Sequence, residues 1–279
     1  MGLKESGKIA QFTHIPIPEA IKDVAVGCEH TIVLTESGRV YSTGRGSKGQ
    51  LGFGPVVQLL NQFTEICLQG QVKQIVCGVW FSLAILEDGR VFGWGSNRCR
   101  CLVDGYESVI WEPTHLTRLS NVKKIAAGHR HIVVLYSNGS VSSFGDDRFG
   151  QLVSNAGPIL DVFAGWNHTV LLKNNREVLL FGTNTFNQIA HPDVAANSNT
   201  LKFESDILDL AVGSDHVLCL VQGSGLYSFG WNEHGVLGDR TNETVHGSIS
   251  TVLFDVSQIK SVFCGYGSCF LLTNNKDSD

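Results

Sequence analysis

Six times along the chain a short apolar run ends in glycine: VAVG at Gly27, IVCG at Gly78, IAAG at Gly128, VFAG at Gly165, LAVG at Gly213 and VFCG at Gly265. The intervals are 51, 50, 37, 48 and 52 residues. Counting each of these glycines as position zero brings other residues into step. Position +3 holds His30, Phe81, His131, His168, His216 and Ser268. Position +11 is Gly38, Gly89 or Gly139, and +13 is Val40, Val91, Val141, Val178 or Leu226. Glycine stands at +17 in all five complete copies, as Gly44, Gly95, Gly145, Gly182 and Gly230. Position +22 is Gly49, Arg100, Gly150, Asn187 or Gly235, and +24 is Leu51, Leu102, Leu152, Ile189 or Leu237. A period of this length marks a small structural unit that buries its faces only by packing against copies of itself.

The chain has 31 glycines against 6 prolines, and 43% of its 279 residues are hydrophobic. Glycine in that setting marks recurrent turns rather than disorder. HTIVLTESGRVYSTG, LAILEDGRVFGWG and VVLYSNGSVSSFG each place β-branched or aromatic runs on both sides of a Ser-Gly, Asp-Gly or Asn-Gly pair. These are hairpin signals, because both central turn residues tolerate positive φ. No segment carries a sustained apolar stripe of helical period. The expected class is all-β, as a ring of small sheets.

The column pattern, with GSKGQLG at 46–52 and DRFGQLV at 147–153, resembles the regulator of chromosome condensation (RCC) repeat. Kelch repeats would bring Gly-Gly pairs and WD repeats Trp-Asp pairs, and neither dipeptide occurs. The resemblance covers nearly the whole chain. It implies a β-propeller of about six blades in one domain spanning residues 1–279. The sixth copy stops before its +13, +17 and +24 positions, so the last blade is expected to be short by one hairpin, as in a shortened isoform or a gene model begun at an internal Met.

Residues 230–238 read GWNEHGVLG. Glu233 beside His234 suggests an acid/base pair, so an enzyme using these two is the rival reading. In register, however, Gly230 is the +17 glycine and Gly235 the +22 glycine, so Trp231 to His234 fill a connection that every complete copy has. Adjacent side chains rarely converge on one atom, and no third group to orient His234 is identifiable. The expectation is a turn in which Asn232 bonds its own backbone. SFGWNEHGVLGD also resembles the matching stretch of the DelGEF-type members, the secretion-regulating exchange-factor-like propellers. It is more loosely similar to the propeller that pairs with a CSL-type zinc protein in diphthamide and wobble-uridine tRNA modification. That resemblance implies a face loop open to protein partners, with Trp231, Glu233 and His234 as contact residues.

Other candidates are weaker. The four +3 histidines fall in separate copies, so they are not expected to share a metal. Each is expected to tie its strand to neighbouring backbone. Cys99 and Cys101 are spaced too closely for a zinc pair; Arg98 and Arg100 beside them favour thiolate, so a reactive pair is the alternative to the expected plain loop. Cys77 and Cys264 share position −1 with alanines and are expected to be small buried residues. No G-x-x-x-x-G-K-[ST] or G-x-S-x-G motif occurs, so neither phosphate-loop nor serine-hydrolase chemistry is expected. The polar stretch 192–206 reads as a surface loop. The family's Ran exchange factor carries an inserted wedge and a basic N-terminal tail, and neither is expected here.

A formal net charge of −5 argues against a general polyanion binder, whose affinity needs a basic surface. The polar start MGLKESGKIAQF is unlike a secretory leader. No apolar run reaches the roughly 20 residues of a membrane helix. The eight cysteines are therefore expected as free thiols in the cytoplasm or nucleus. The sequons at Asn138, Asn167 and Asn242 are expected to stay unused. The sequence reading is a monomeric, non-enzymatic protein-interaction scaffold without cofactor. Its expected partner is a small GTPase, a secretory-machinery protein or a small zinc protein, with neither nucleic acid nor membrane contacted directly.

Overall fold

The computed structural model describes residues 14–103, 105, 107–154, 156–190, 200–233, 235–238, 250–252 and 258–274. Twenty-one strands and no α-helix occur among them. The first sheet is β1 (Ile21–Val26), β2 (His30–Thr35), β3 (Val40–Arg45) and β4 (Leu59–Ile66), in that order. The second is β5 (Val72–Cys77), β6 (Phe81–Leu86), β7 (Val91–Ser96) and β8 (Val109–His115). The third holds β9 (Val122–Ala127), β10 (His131–Tyr136) and β11 (Val141–Gly145). The fourth runs β12 (Asp161–Ala164), β13 (His168–Asn174), β14 (Glu177–Gly182) and β15 (Thr200–Lys202). The fifth runs β16 (Ile207–Val212), β17 (His216–Val221), β18 (Gly225–Gly230) and β19 (Ser250–Val252). The sixth pairs β20 (Ile259–Cys264) with β21 (Cys269–Thr273). One sheet thus forms for each copy of the repeat, and neighbouring strands pair antiparallel throughout. The chain divides into two compact units, one of Met1–Ser137 with Phe144–Asp146 and one of Asn138–Ser143 with Asp147–Asp279. No helix among the described residues is long and apolar enough to cross a membrane.

Why these segments form sheets of this kind follows from their second strands. In β6, FSLAIL, and β17, HVLCLV, every residue is buried. Successive side chains of a strand point to opposite faces, so both faces of each sheet are covered. Leu83 and Ile85 pack with Val122, Ile125, Ile132 and Val134 of the third sheet. Ala84 and Leu86, one residue on, pack with Ile32, Leu34 and Val40 of the first sheet. The second unit repeats the device: Val217 and Cys219 meet Val170, Val178 and Leu180 of the fourth sheet, while Leu218 and Leu220 meet Ile259 and Val262 of the sixth.

Two glycine columns are set by close approach. At position zero the ring of the +3 residue lies over the glycine α-carbon. A β-carbon at Gly27, Gly165 or Gly213 would collide with the ring of His30, His168 or His216. At +17 the backbone has φ between 108° and 124°. A β-carbon there would strike the carbonyl oxygen of position +2, such as Glu29 at Gly44 or Asp215 at Gly230.

Three expectations need correction and a fourth needs extension. Cys99 and Cys101 are joined as a disulfide, so the eight cysteines are not all free thiols. Arg100 between them takes φ 58° in a position filled by glycine in three other copies. That left-handed residue folds the tripeptide back until the two α-carbons are 5.5 Å apart, within disulfide reach. Cys77 and Cys264 are half-buried rather than buried. Residues 200–202, assigned to a surface loop, form β15 on the edge of β14; the stretch 191–199 lies outside the described residues. Finally, the +3 histidine of the first copy reaches a side chain as well as backbone: His30 Nε2 lies 2.8 Å from Ser82 Oγ, and its ring also has a backbone hydrogen bond with Phe81.

Candidate functional site

Each complete copy carries the same latch at one end of its sheet. The N–H of position +18 donates to the carbonyl of position +2: Arg45 to Glu29 at 2.8 Å, Ser96 to Trp80 at 2.8 Å, Asp146 to Arg130 at 2.9 Å, Thr183 to Asn167 at 3.0 Å and Trp231 to Asp215 at 2.8 Å. Position +1 joins one copy to the next. Cys28 N–H donates to Val79 O, Trp166 to Ser214 O, and Ser214 to Tyr266 O. Backbone hydrogen bonds therefore fix where +1, +2 and +18 stand, and the side chains at these positions differ from copy to copy.

The variation separates the copies. Position pairs +2 and +18 form ion pairs in the first and third copies, Glu29 with Arg45 and Arg130 with Asp146. In the fifth copy the pair is Asp215 and Trp231. There the second unit gathers aromatic side chains. Trp166 is 37% exposed and Tyr266 44% exposed, and their rings meet edge to face with centroids 6.0 Å apart. Trp231 is half-buried, and its indole lies over Gly267, where an added β-carbon would sit 3.4 Å from the ring. Asp215 is held by Gln188, whose Nε2 donates to Oδ1 at 3.1 Å. Burial pushes its carboxyl above the ordinary aspartate range, against the stabilising bonds from Gln188 and Ser214. Glu233 is exposed. The patch is thus three aromatic residues with acidic groups beside them.

Of the three contact residues expected from sequence, the structure places Trp231 in this patch and Glu233 on the adjoining loop; His234 lies outside the described residues. The turn reading of GWNEHGVLG rests on Asn232, which is buried and accepts from Leu237 N–H through Oδ1 at 3.0 Å. Ser228 Oγ donates to Leu237 O at 2.9 Å. The same bond recurs elsewhere: Asn97, Asp147 and Asn184 accept from Leu102, Leu152 and Ile189. Position +19 is therefore Asn or Asp in four of the five complete copies, where it closes the loop onto +24; the first copy has Gly46 there. The sequence reading saw it at Asn232 alone, although the column is visible once the copies are aligned. The glutamine that precedes +24 also braces the loop from within. Gln50, Gln151 and Gln188 each accept from the N–H two residues earlier.

Three metal-ligating side chains also converge in the second unit. His216 Nε2 lies 3.2 Å from Cys269 Sγ, and Cys264 Sγ lies 3.5 Å from Cys269 Sγ. The hydrogen bond between the two sulfurs, with His216 alongside, lowers the Cys269 thiol, while that bond and burial raise that of Cys264. Tracking position +3 alone hides the group, because its other members occupy −1 and +4 of the following copy. In the first unit a recess of about 230 Å³ opens at the same sheet ends, lined by Trp80, Phe81, Ser96, Arg98, Cys99 and Arg130 with His129.

The repeat is matched by family models. Residues 21–50, 72–101, 122–151 and 159–188 match one regulator of chromosome condensation (RCC1) repeat model. Residues 37–85 and 88–135 match a second of the same description. An Arabidopsis thaliana protein, the ultraviolet-B receptor UVR8, is 27% identical over 95% of this chain and 54% of its own length. The Bos taurus secretion-regulating guanine nucleotide exchange factor is 34% identical over 57% of this chain and 37% of its own. The chain thus spans about half, or less, of the length of these relatives. Among solved structures, yeast RCC1 (Prp20), seen bound to Kap60, superposes with a TM-score of 0.74 over 91% of this chain and 68% of that one, at 23% identity. That likeness shows the fold, an RCC-type β-propeller.

Proposed function

Because this chain belongs to the regulator of chromosome condensation repeat family, we propose that it is a non-enzymatic protein-interaction scaffold that engages a small GTPase through the aromatic patch of its second unit. The observation that carries this reading is the patch itself: Trp166, Trp231 and Tyr266 stand on loops pinned by backbone hydrogen bonds. Rigid aromatic side chains dominate binding energy at protein interfaces, because they bury large area at small entropic cost. Acidic neighbours such as Glu233 suit a partner with a basic surface. The bovine relative's name supports a GTPase as the partner's class. An exchange factor acts by opening its partner's nucleotide site, so the lack of a phosphate loop in this chain agrees with the role.

The test begins with capture from cell extract on the immobilised chain, with Trp231→Ala alongside. Captured GTPases are then loaded with fluorescent GDP and its release timed with and without the chain. A GTPase held by the wild type and lost by the variant, with accelerated GDP release, supports the reading. Capture of a CSL-type zinc protein in place of any GTPase overturns it in favour of the tRNA-modification and diphthamide role. Equal capture by the variant removes the aromatic patch as the contact. Substrate turnover that Glu233→Gln abolishes would reinstate the enzyme reading.

A further inference from the structure

We propose that His216, Cys264 and Cys269 form a zinc-binding site at the junction of the fifth and sixth sheets. One ligand atom from each residue lies within 4.8 Å of the other two. Zinc–sulfur bonds of about 2.3 Å and zinc–nitrogen bonds of about 2.0 Å place tetrahedral ligands roughly 3.5–3.8 Å apart. The separations of 3.5 Å between the sulfurs and 3.2 Å from Cys269 to His216 are close to those edges. The third separation, His216 to Cys264, is within 4.8 Å, so side-chain rotation closes the remaining edge of the triangle.

The backbone holds the three in place without any metal. Cys264 and Cys269 are directly cross-strand partners in the β20–β21 hairpin. His216 opens β17, pinned by its pairing to Gly230. Its ring is buried and stacked over Gly213. Both cysteines are only partly buried, and three protein ligands leave a fourth coordination position for water or for a side chain from a bound partner. Binding releases a proton for each thiol that ligates as thiolate, and the imidazole coordinates neutral through Nε2.

The same chain contains a natural control. The corresponding positions of the first and second copies are His30, Cys77 and Ser82. There Nε2 of His30 lies 2.8 Å from the Ser82 hydroxyl and the Cys77 sulfur 3.9 Å from it. The architecture is matched, but a neutral hydroxyl stands where Cys269 has a thiol. Zinc takes thiolate, imidazole and carboxylate ligands, so only the later junction has the donors. Cys264 and Cys269 also flank the loop on which Trp231 rests. Metal at this site therefore fixes the floor of the aromatic patch.

The experiment uses the full chain, reduced and stripped of metal, then dialysed against limiting zinc. Retained zinc is measured by atomic emission, and cobalt is substituted to read thiolate-to-metal charge transfer. One zinc per chain is expected, with a thiolate-to-cobalt band. Cys269→Ser, which installs the residue that the first junction tolerates, should lose both. Cys77→Ser should keep both. Added zinc should raise the melting temperature of the wild type and of Cys77→Ser but not of Cys269→Ser. Failure of the reduced wild type to retain zinc overturns the proposal. So does equal retention by Cys269→Ser, since other thiols would then be the ligands. Because the assay contains no partner protein, these outcomes are independent of the GTPase assay.

Discussion

His30 Nε2 lies 2.8 Å from the hydroxyl oxygen of Ser82, fifty-two residues later and in the next sheet. The Ser82 hydroxyl in turn donates to the carbonyl of Gln50 at 3.1 Å, which also accepts from Trp94 Nε1 at 3.0 Å. Since Ser82 spends its proton on Gln50, its oxygen accepts from Nε2–H. That fixes the neutral tautomer of His30. The side chain that opens β2 is thereby joined to the β3–β4 loop of its own sheet through a hydroxyl of the next.

This arrangement makes stability depend on pH in a defined window. Burial lowers the His30 imidazole from 6.5 to about 4, although a backbone hydrogen bond with Phe81 opposes the shift. Between those values the unfolded chain binds the proton and the folded one does not, so stability rises with pH. The contribution is complete above about pH 6.5 and is lost progressively as pH falls toward 4. It amounts to about 3 kcal/mol for this one group. Urea midpoints measured from pH 7.5 to 4.5 should fall through that window. His30→Gln should be less stable at pH 7.5 and show a shallower fall; an unchanged slope would show that His30 is not the group responsible.

Two glycines in one kind of hairpin should respond differently to alanine. Gly89 sits in a turn at φ +85° with nothing within 4 Å of an added β-carbon, so Gly89→Ala costs only the left-handed strain of about 1–2 kcal/mol. Gly44 has φ +110°, and its β-carbon would strike the Glu29 carbonyl and lie 2.8 Å from the His30 α-carbon. Both are backbone atoms, so relief requires moving a strand. Gly44→Ala should exceed Gly89→Ala by about 2 kcal/mol or more in chemical denaturation. Equal costs would mean that the +17 column is kept for conformation alone.

The sheets were legible because a period-two strand between two neighbours leaves one trace, an apolar residue at every position, and a fixed return of glycine marks its turns. LAILEDGRVFGWG shows both. What could not be read is how side chains meet between copies. His216 and Cys269 are 53 residues apart, and the spacing that joins them is visible only once the sheets are known to follow one another. The Cys99–Cys101 bond escaped for a local reason: it depends on Arg100 adopting positive φ, which residue type does not announce. Trp231 stands out in the sequence because its loop departs from its siblings. Trp166 and Tyr266, which stand nearby, do not stand out, because position +1 carries no fixed residue type from copy to copy.

Asn97 tests whether the +19 column closes loops in general. Its Oδ1 accepts from Leu102 N–H at 3.0 Å and Val103 N–H at 3.2 Å, and its Nδ2 donates to the carbonyls of Val103 and Glu107. The side chain is almost fully buried. Asn97→Ala leaves those groups unpaired away from water, at about 1–3 kcal/mol. Asn97→Asp keeps the two accepted bonds and loses the two donated ones, so it should fall between wild type and alanine. Amide hydrogen exchange at Leu102 should quicken in the alanine variant and stay protected in the aspartate one.

The aromatic patch predicts which substitutions share a fate. Trp166 and Tyr266 contact one another, and Trp231 lies over the residue that follows Tyr266. If these three form the centre of one interface, Trp166→Ala, Trp231→Ala and Tyr266→Ala should each weaken partner binding by about 30-fold or more, equivalent to roughly 2 kcal/mol. Their effects should be less than additive in pairs, since neighbouring residues share partners. Arg45 occupies the same +18 position in the first copy, where its ion pair with Glu29 is exposed, and such pairs contribute little. Arg45→Ala should leave affinity unchanged. Titration calorimetry with the captured partner measures all four. A loss confined to Trp231 with Trp166 and Tyr266 neutral would shift the contact from the patch to the 231–233 loop, and a loss at Arg45 of similar size would show that binding is not confined to the aromatic patch.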